Sequence, residues 1–246
     1  MRSMPGWSIH WAASRLTFSY TLLAGNGDDL IAFLDGVPNH PTPALPSRAL
    51  RQSVIPVQVE AARLLHNFLA SAKTLVDHSR LASRSLVSAA AQAGYAELIK
   101  AQIMDHQPRA FIQDLRNYFL HVSNPVMVTR VSILHGSSSL CLVRERLLEH
   151  SGWKPRTMDF LKSDGGDIPI VPLVHSYLAA AFAVTASLLE SITREHRDEL
   201  EDLYQLSDAV SEATGLEGLS ADDPLLQRFG EEPANMALQR AVSGRL

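Results

Sequence analysis

Cysteine is almost absent from this chain, which carries only Cys141 among its 246 residues. A single thiol excludes an intrachain disulfide framework and a zinc site built from cysteines, and it fits a reducing compartment. Long apolar runs are also missing, since the most apolar stretch, 177–189, is shorter than a membrane span. The first residues lack a compact apolar core, so no signal peptide is expected. These absences predict a soluble protein located in the cytoplasm.

Charge is present but unevenly distributed. Hydrophobic residues make up 46% and charged residues 20% of the chain, a globular composition that excludes a disordered protein. Residues 109–162 carry eight Lys or Arg against four Asp or Glu, whereas residues 163–246 carry five against fifteen. An anionic partner is therefore expected at the middle of the sequence, although a solvated surface explains the surplus equally well.

The spacing of apolar residues and prolines divides the chain into three predicted regions. Five prolines between positions 38 and 56 indicate a loop or linker, and the weak alternation of 15–22 predicts a strand before it. Residues 1–56 are therefore expected to be irregular or β-containing. Apolar residues recur at three and four positions within 57–215, which predicts a helical domain, and 216–246 is expected to be an acidic irregular tail. The predicted fold class is mainly α, a helical bundle.

Several boundaries inside the helical domain follow from local signals. Gly94 is expected to interrupt one helix, and Pro108 to begin another that Asn124-Pro125 ends near Ser123. A short strand is predicted within 126–133, followed by a helix that Ser137-Ser138-Ser139 caps and that ends near Gly152. A further helix is predicted over 155–162. The last predicted helix is long, begins at 169–172 and extends past Tyr204.

The segment 111–121 separates into an apolar and a polar face when it is wound as a helix at about 100° per residue. With Arg116 at zero, Asn117 lies at about 100° and His121 at about 140°. Gln113 and Asp114 fall near the same face, and most of the apolar residues, Phe111, Ile112, Leu115, Tyr118, Phe119 and Val122, fall opposite. Leu120 is apolar on the polar face, a feature typical of a contact with another protein chain.

The polar face has the groups that RNA cleavage requires. Arg116 can hold a phosphate in a planar fork, and His121 can accept and return a proton near neutral pH. Asn117 can orient the imidazole or a substrate oxygen. A ribose 2′-hydroxyl supplies an internal nucleophile, and the face lacks a carboxylate cluster for magnesium, so the pattern favours cleavage without a metal or other cofactor.

The run Arg116-Asn117-Tyr118-Phe119-Leu120-His121 resembles the Arg-polar-x3-His signature of the HEPN superfamily of helical ribonucleases. The resemblance extends as a helical pattern over 57–205. It implies a homodimer in which two motifs form one composite site, and an RNA-cutting toxin or antiphage defence effector. It also implies a possible antitoxin or nucleotidyltransferase partner, with Arg116, Asn117 and His121 as the catalytic residues.

Other basic and histidine residues are weaker candidates. Five cations could extend an RNA groove or could be ordinary surface charges: Arg109, Arg144, Arg146, Lys154 and Arg156. Arg130 and His135 repeat the Arg-x4-His spacing, but Val131 follows the arginine in a predicted strand. His66 and Asn67 could approach the motif from the first long helix of the predicted domain. Histidine pairs with metal-binding spacing are missing, so no metal site is expected.

Three alternatives to catalysis remain open at this point. The motif could be a helix end in which His121 interacts with the helix dipole. The chain could be a non-catalytic member of the same fold that binds a partner. It could also be a structural helical interaction protein, in which Leu120 and the acidic tail matter more than His121.

Overall fold

A computed structural model describes residues 5–36, 48–132, 137–163 and 165–214. Of the described residues, 83% are helical, in eight α-helices accompanied by a small three-stranded sheet. The prediction of a mainly α protein is therefore confirmed. The proline-rich stretch 37–47, His135 and the predicted tail 216–246 lie outside the described residues.

The helices and strands follow one another in mixed order. The helices are α1 (Pro5–Gly36), α2 (Arg48–Leu86), α3 (Ala89–Ile99), a π-helical turn (Lys100–Met104), α4 (Gln107–His121), α5 (Arg144–Leu148), α6 (Pro155–Lys162), α7 (Ile170–Glu195) and α8 (Arg197–Thr214). The strands are β1 (Met127–Ser132), β2 (Ser137–Leu142) and β3 (Ile168–Pro169). They form an antiparallel sheet in the order β1-β2-β3, with Met127 opposite Leu142 and Cys141 opposite Pro169.

The prediction of an irregular or β-containing N-terminal region is wrong, because 5–36 form one helix. Ile9, Leu16, Leu23 and Leu30 recur every seven residues and are all buried. This repeat outweighs the short alternation within 15–22, since a seven-residue period keeps apolar side chains on one helix face. The second helix also begins earlier than predicted, at Arg48, and contains Pro56.

The structure confirms some of the predicted boundaries inside the helical domain and contradicts others. Helices α4 and α6 and strand β1 occur where they were predicted. Gly94 does not interrupt a helix but lies inside α3, and the last long helix divides at His196. Ser137-Ser138-Ser139 are wrong as a helix cap: they pair with residues 130–132 as part of β2, which leaves only five residues for α5.

The chain forms two compact units, which are interleaved in sequence. Unit 1 comprises the described residues of Met1–Thr21, Leu75–Leu98 and Phe182–Leu246. The Glu195 carboxylate accepts hydrogen bonds from the Ser88 backbone amide at 2.6 Å and from the Ser88 hydroxyl at 3.0 Å. These bonds hold the pKa of Glu195 below its usual value. They join the end of α7 to the residue that precedes α3.

Unit 2 comprises the described residues of Leu22–Thr74 and Ile99–Ala181, and contains the sheet and α4. Phe111 and Tyr118 of α4 pack against Trp153, with ring centroids 5.9 and 5.0 Å apart. The Trp153 indole donates a hydrogen bond to the Leu147 carbonyl at 2.7 Å, so its one polar group is satisfied in the core. One face of α4 is thereby fixed in an aromatic core.

Helix α7 is longer than the apolar run seen in the sequence. By length and composition it could cross a membrane, since an 18-residue window reaches a mean hydropathy of 1.6. However, 44% of that window is buried within the protein, where Val174, Tyr177 and Leu188 are core residues. Buried apolar helices of soluble proteins share these properties, and the structure is compatible with a soluble protein.

Candidate functional site on helix α4

Helix α4 carries the predicted motif on its last two turns. His106 precedes the helix in an extended conformation, and Pro108 occupies its first turn, as the sequence predicts. The helix ends where the Val122 amide donates to the Tyr118 carbonyl at 2.9 Å. Phe111, Ile112, Leu115 and Tyr118 are buried, which confirms most of the predicted apolar face.

The first half of α4 is enclosed by other elements of unit 2. Arg109 donates to the Ser176 hydroxyl of α7 at 3.0 Å, and the Gln113 amide donates to the Tyr177 hydroxyl of the same helix. Asp114 is only 7% exposed and accepts hydrogen bonds from Lys154 at 2.7 Å and from Thr157 at 2.6 Å. Gln113 and Asp114 therefore do not belong to an open polar face, because α7 and the start of α6 cover them.

The last two turns present Arg116, Asn117, Leu120 and His121. The arginine is half-buried, and the other three side chains are exposed. Arg116 donates through Nη1 to the Asn117 side-chain oxygen at 3.0 Å, whereas its Nε–H has no acceptor in the described structure. This nitrogen is buried, and a buried donor without a partner costs free energy. We call these four residues the α4 end face. They are the part of the predicted polar face that other elements do not cover.

His66 of α2 also lies beside α4. Its ring centroid is 5.4 Å from that of Phe119, and its side chain is half-buried. Phe119 lies about 60° from Arg116 in the direction opposite to His121. His66 therefore lies beside Phe119, on the side of α4 away from His121. The sequence places His66 only on a helix, and its proximity to the motif depends on tertiary packing.

The five additional cations all bind acceptors within unit 2. Besides the contacts of Arg109 and Lys154, Arg144 donates to the Phe160 carbonyl at 2.6 Å and lies over the Phe160 ring. Arg146 pairs with Glu149 at 2.7 Å, and Arg156 pairs with Asp105 at the same distance. These contacts support a structural role, and Arg116 differs from the five in having a buried Nε–H without an acceptor.

An apolar margin adjoins the α4 end face. It consists of Leu120, Val122 and Val126, which are all exposed. Val122 was predicted to belong to the apolar core face, but it follows the last helical residue, so the helical angle no longer sets its direction. Apolar residues that form a contiguous exposed patch are typical of an interaction surface.

Comparison with known proteins gives no relatives. No family model, no curated protein and no solved structure matches the chain. The interpretation of the α4 end face therefore rests on its own residues and their geometry.

Asp114→Ala is expected to destabilise the protein by about 1–3 kcal/mol, because it leaves the buried Thr157 hydroxyl without its acceptor. Lys154→Ala should cost less than about 1 kcal/mol, since the ammonium is exposed. Urea unfolding measures both, with the exposed Asp159→Ala on α6 as a control. Equal losses from Asp114→Ala and Lys154→Ala would show that the ion pair, and not the buried hydrogen bond, fixes α4.

Proposed function

We propose that this protein is a metal-independent endoribonuclease of the HEPN type, with RNA as its substrate and the α4 end face as its active site. The observation that carries the proposal is the set of half-buried Arg116 and exposed Asn117 and His121 at the end of a helix whose other side is buried. A rigid helix positions functional side chains better than a loop does. The proposal includes a soluble cytoplasmic protein that needs no cofactor.

The three side chains have separate roles in the proposed reaction. Arg116 binds the scissile phosphate and stabilises the charge that develops on its oxygens. Asn117 holds the guanidinium through the 3.0 Å hydrogen bond. His121 takes the proton of the ribose 2′-hydroxyl while that oxygen attacks phosphorus. The bond to the 5′-oxygen breaks, and this oxygen takes a proton from the protonated second copy of His121 in the dimer, which gives a 2′,3′-cyclic phosphate and a 5′-hydroxyl.

The proposed enzyme is a homodimer. In-line cleavage needs a base at the 2′-hydroxyl and an acid at the leaving oxygen, on opposite sides of phosphorus, and one His121 cannot occupy both positions. A two-fold axis that passes close to His121 brings this residue of both protomers together. The exposed apolar margin supports a second chain at this place, because burying it would stabilise such an interface.

A non-catalytic partner module is the second candidate function. The apolar margin favours it, because exposed apolar residues also fit binding of a different polypeptide, such as an antitoxin or a nucleotidyltransferase. In that case the margin would be needed and His121 would not.

His121→Ala is expected to lower RNA cleavage by about 10²–10⁴-fold, the usual contribution of a general acid or base. Folding should be unchanged, since the side chain is exposed. Cleavage of total RNA in EDTA measures the effect. His106→Ala is the matched control, because it changes an exposed histidine at the other end of the same helix. Undiminished cleavage in His121→Ala would remove this residue from the mechanism. A parallel His66→Ala variant tests whether the histidine beside Phe119 contributes as well.

The cleavage products are expected to carry 2′,3′-cyclic phosphate or 3′-phosphate on one fragment and 5′-hydroxyl on the other. These ends follow from attack by the internal 2′-hydroxyl. Mass spectrometry of the fragments distinguishes them from 5′-phosphate ends. Fragments with 5′-phosphate, or complete inhibition by EDTA, would contradict the mechanism.

Leu120→Asp is expected to weaken dimerisation by at least about tenfold, because a carboxylate is costly in an apolar interface. Cleavage activity should fall with the dimer. Sedimentation equilibrium and the RNA assay measure the two effects, and Leu81→Asp is the control, since it changes an exposed leucine on α2. A fully active monomer would refute the composite site.

A further inference from the structure

Unit 1 carries an exposed aromatic stripe on α1 that the proposed ribonuclease activity does not use. Trp7, Trp11 and Phe18 are 50%, 57% and 68% exposed. At about 100° per residue the three side chains lie within about 40° of one another, over about 16 Å of helix. Large aromatic side chains are usually buried, so an aligned exposed set is typical of a binding surface.

Helix α8 extends this stripe. The His10 ring stacks on Trp7 at 6.1 Å and meets the Tyr204 ring edge-on at 6.0 Å. Gly6 allows the two helices to approach closely, because a Cβ atom at this position would overlap the Glu199 carbonyl oxygen. Tyr204, which is itself largely exposed, is thereby held next to the tryptophans.

Carboxylates lie on both sides of Tyr204. Glu201 precedes it by three residues and Asp208 follows it by four, so both share its face of α8. Both side chains are exposed, and neither forms an ion pair with a described residue. Across α8 as a whole there are six acidic residues and one basic residue. Arg15, at the other edge of the stripe, is the nearby cation on α1.

From this arrangement we infer that this surface binds a cationic amphipathic segment of another protein. We call it the aromatic–acidic surface, and it consists of Trp7, Trp11, Phe18, Tyr204, Glu201 and Asp208. Apolar side chains of that segment cover the aromatic stripe. Its Lys or Arg side chains pair with Glu201 and Asp208 and lie over the indole rings, which attract cations.

The charge of the surface selects against other occupants. Nucleic acid and anionic lipid would both be repelled by the carboxylates of α8. Residues 215–246 of the chain itself carry five acidic and three basic residues, so they are a poor electrostatic match. A basic partner segment satisfies both the apolar and the acidic part of the surface.

A fluorescent 18-residue helical peptide of Leu and Lys serves as the probe, and the same peptide with Glu in place of Lys is its control. We expect saturable binding of the Lys peptide to the full chain by fluorescence anisotropy, and none of the Glu peptide. Glu201→Lys/Asp208→Lys should weaken binding at least tenfold, and Trp7→Ala/Trp11→Ala should abolish it. Glu145→Lys/Asp159→Lys, with the same change in net charge at exposed positions of unit 2, should leave it unchanged.

Several results would overturn the inference. They are equal binding of both peptides, no saturable binding of the Lys peptide, or an equal loss in the control variant. Acrylamide quenching of the free protein provides a second measurement. If Trp7 and Trp11 are shielded, the chain itself or a second copy covers the surface. Binding of the full chain to phosphatidylglycerol vesicles, with a blue shift of tryptophan emission, would identify lipid as the occupant instead. If the tryptophan variant fails to fold, the charge-reversal variant decides.

Discussion

The buried carboxylate of Asp114 is the constraint on which the candidate site depends. A carboxylate in this position must be compensated, and it is, by the Thr157 hydroxyl and the Lys154 ammonium at the start of α6. These contacts determine how α4 is oriented about its axis within unit 2. With Tyr177 of α7 bound to Gln113, the first half of the helix is covered on its polar side. The last two turns extend beyond these contacts, and Asn117, Leu120 and His121 are exposed there.

The elements that could be predicted from the sequence are those with strong local signals. Helix α4 has Pro108 at its start and Asn124-Pro125 after its end, and an amphipathic pattern between them. The N-terminal helix is not among the predicted elements, because the weak alternation of eight residues indicates a strand. The longer signal is a seven-residue repeat over twenty-two residues, from Ile9 to Leu30, and it indicates a helix. Ser137–Ser139 were misassigned for a different reason: their β structure depends on pairing with residues 130–132, and propensity alone does not contain that partner.

The candidate site shows the same division between local and tertiary information. The helical angle places Arg116, Asn117, Leu120 and His121 together, and in the structure the arginine is half-buried and the other three are exposed. Gln113 and Asp114 have equally suitable angles, but contacts from α7 and α6 cover them. His66 approaches from α2, more than forty residues earlier in the chain, which no spacing rule could indicate. Four of the five additional cations, Arg109, Arg144, Lys154 and Arg156, look like an RNA groove in the sequence because their acceptors are brought to them only by folding, whereas Arg146 pairs with the nearby Glu149.

The two exposed surfaces differ in the charge of the partner that each can accept. The α4 end face offers a guanidinium and a histidine, which suit a phosphate. The aromatic–acidic surface offers carboxylates around exposed rings, which suit a cation and repel a phosphate. An RNA ligand and a basic polypeptide would therefore not compete for either surface, whatever the arrangement of the two units. Free energies of binding at separate sites are coupled only through differences in protein conformation. The long helices α1, α2 and α7 contribute residues to both units, so such coupling would act through them.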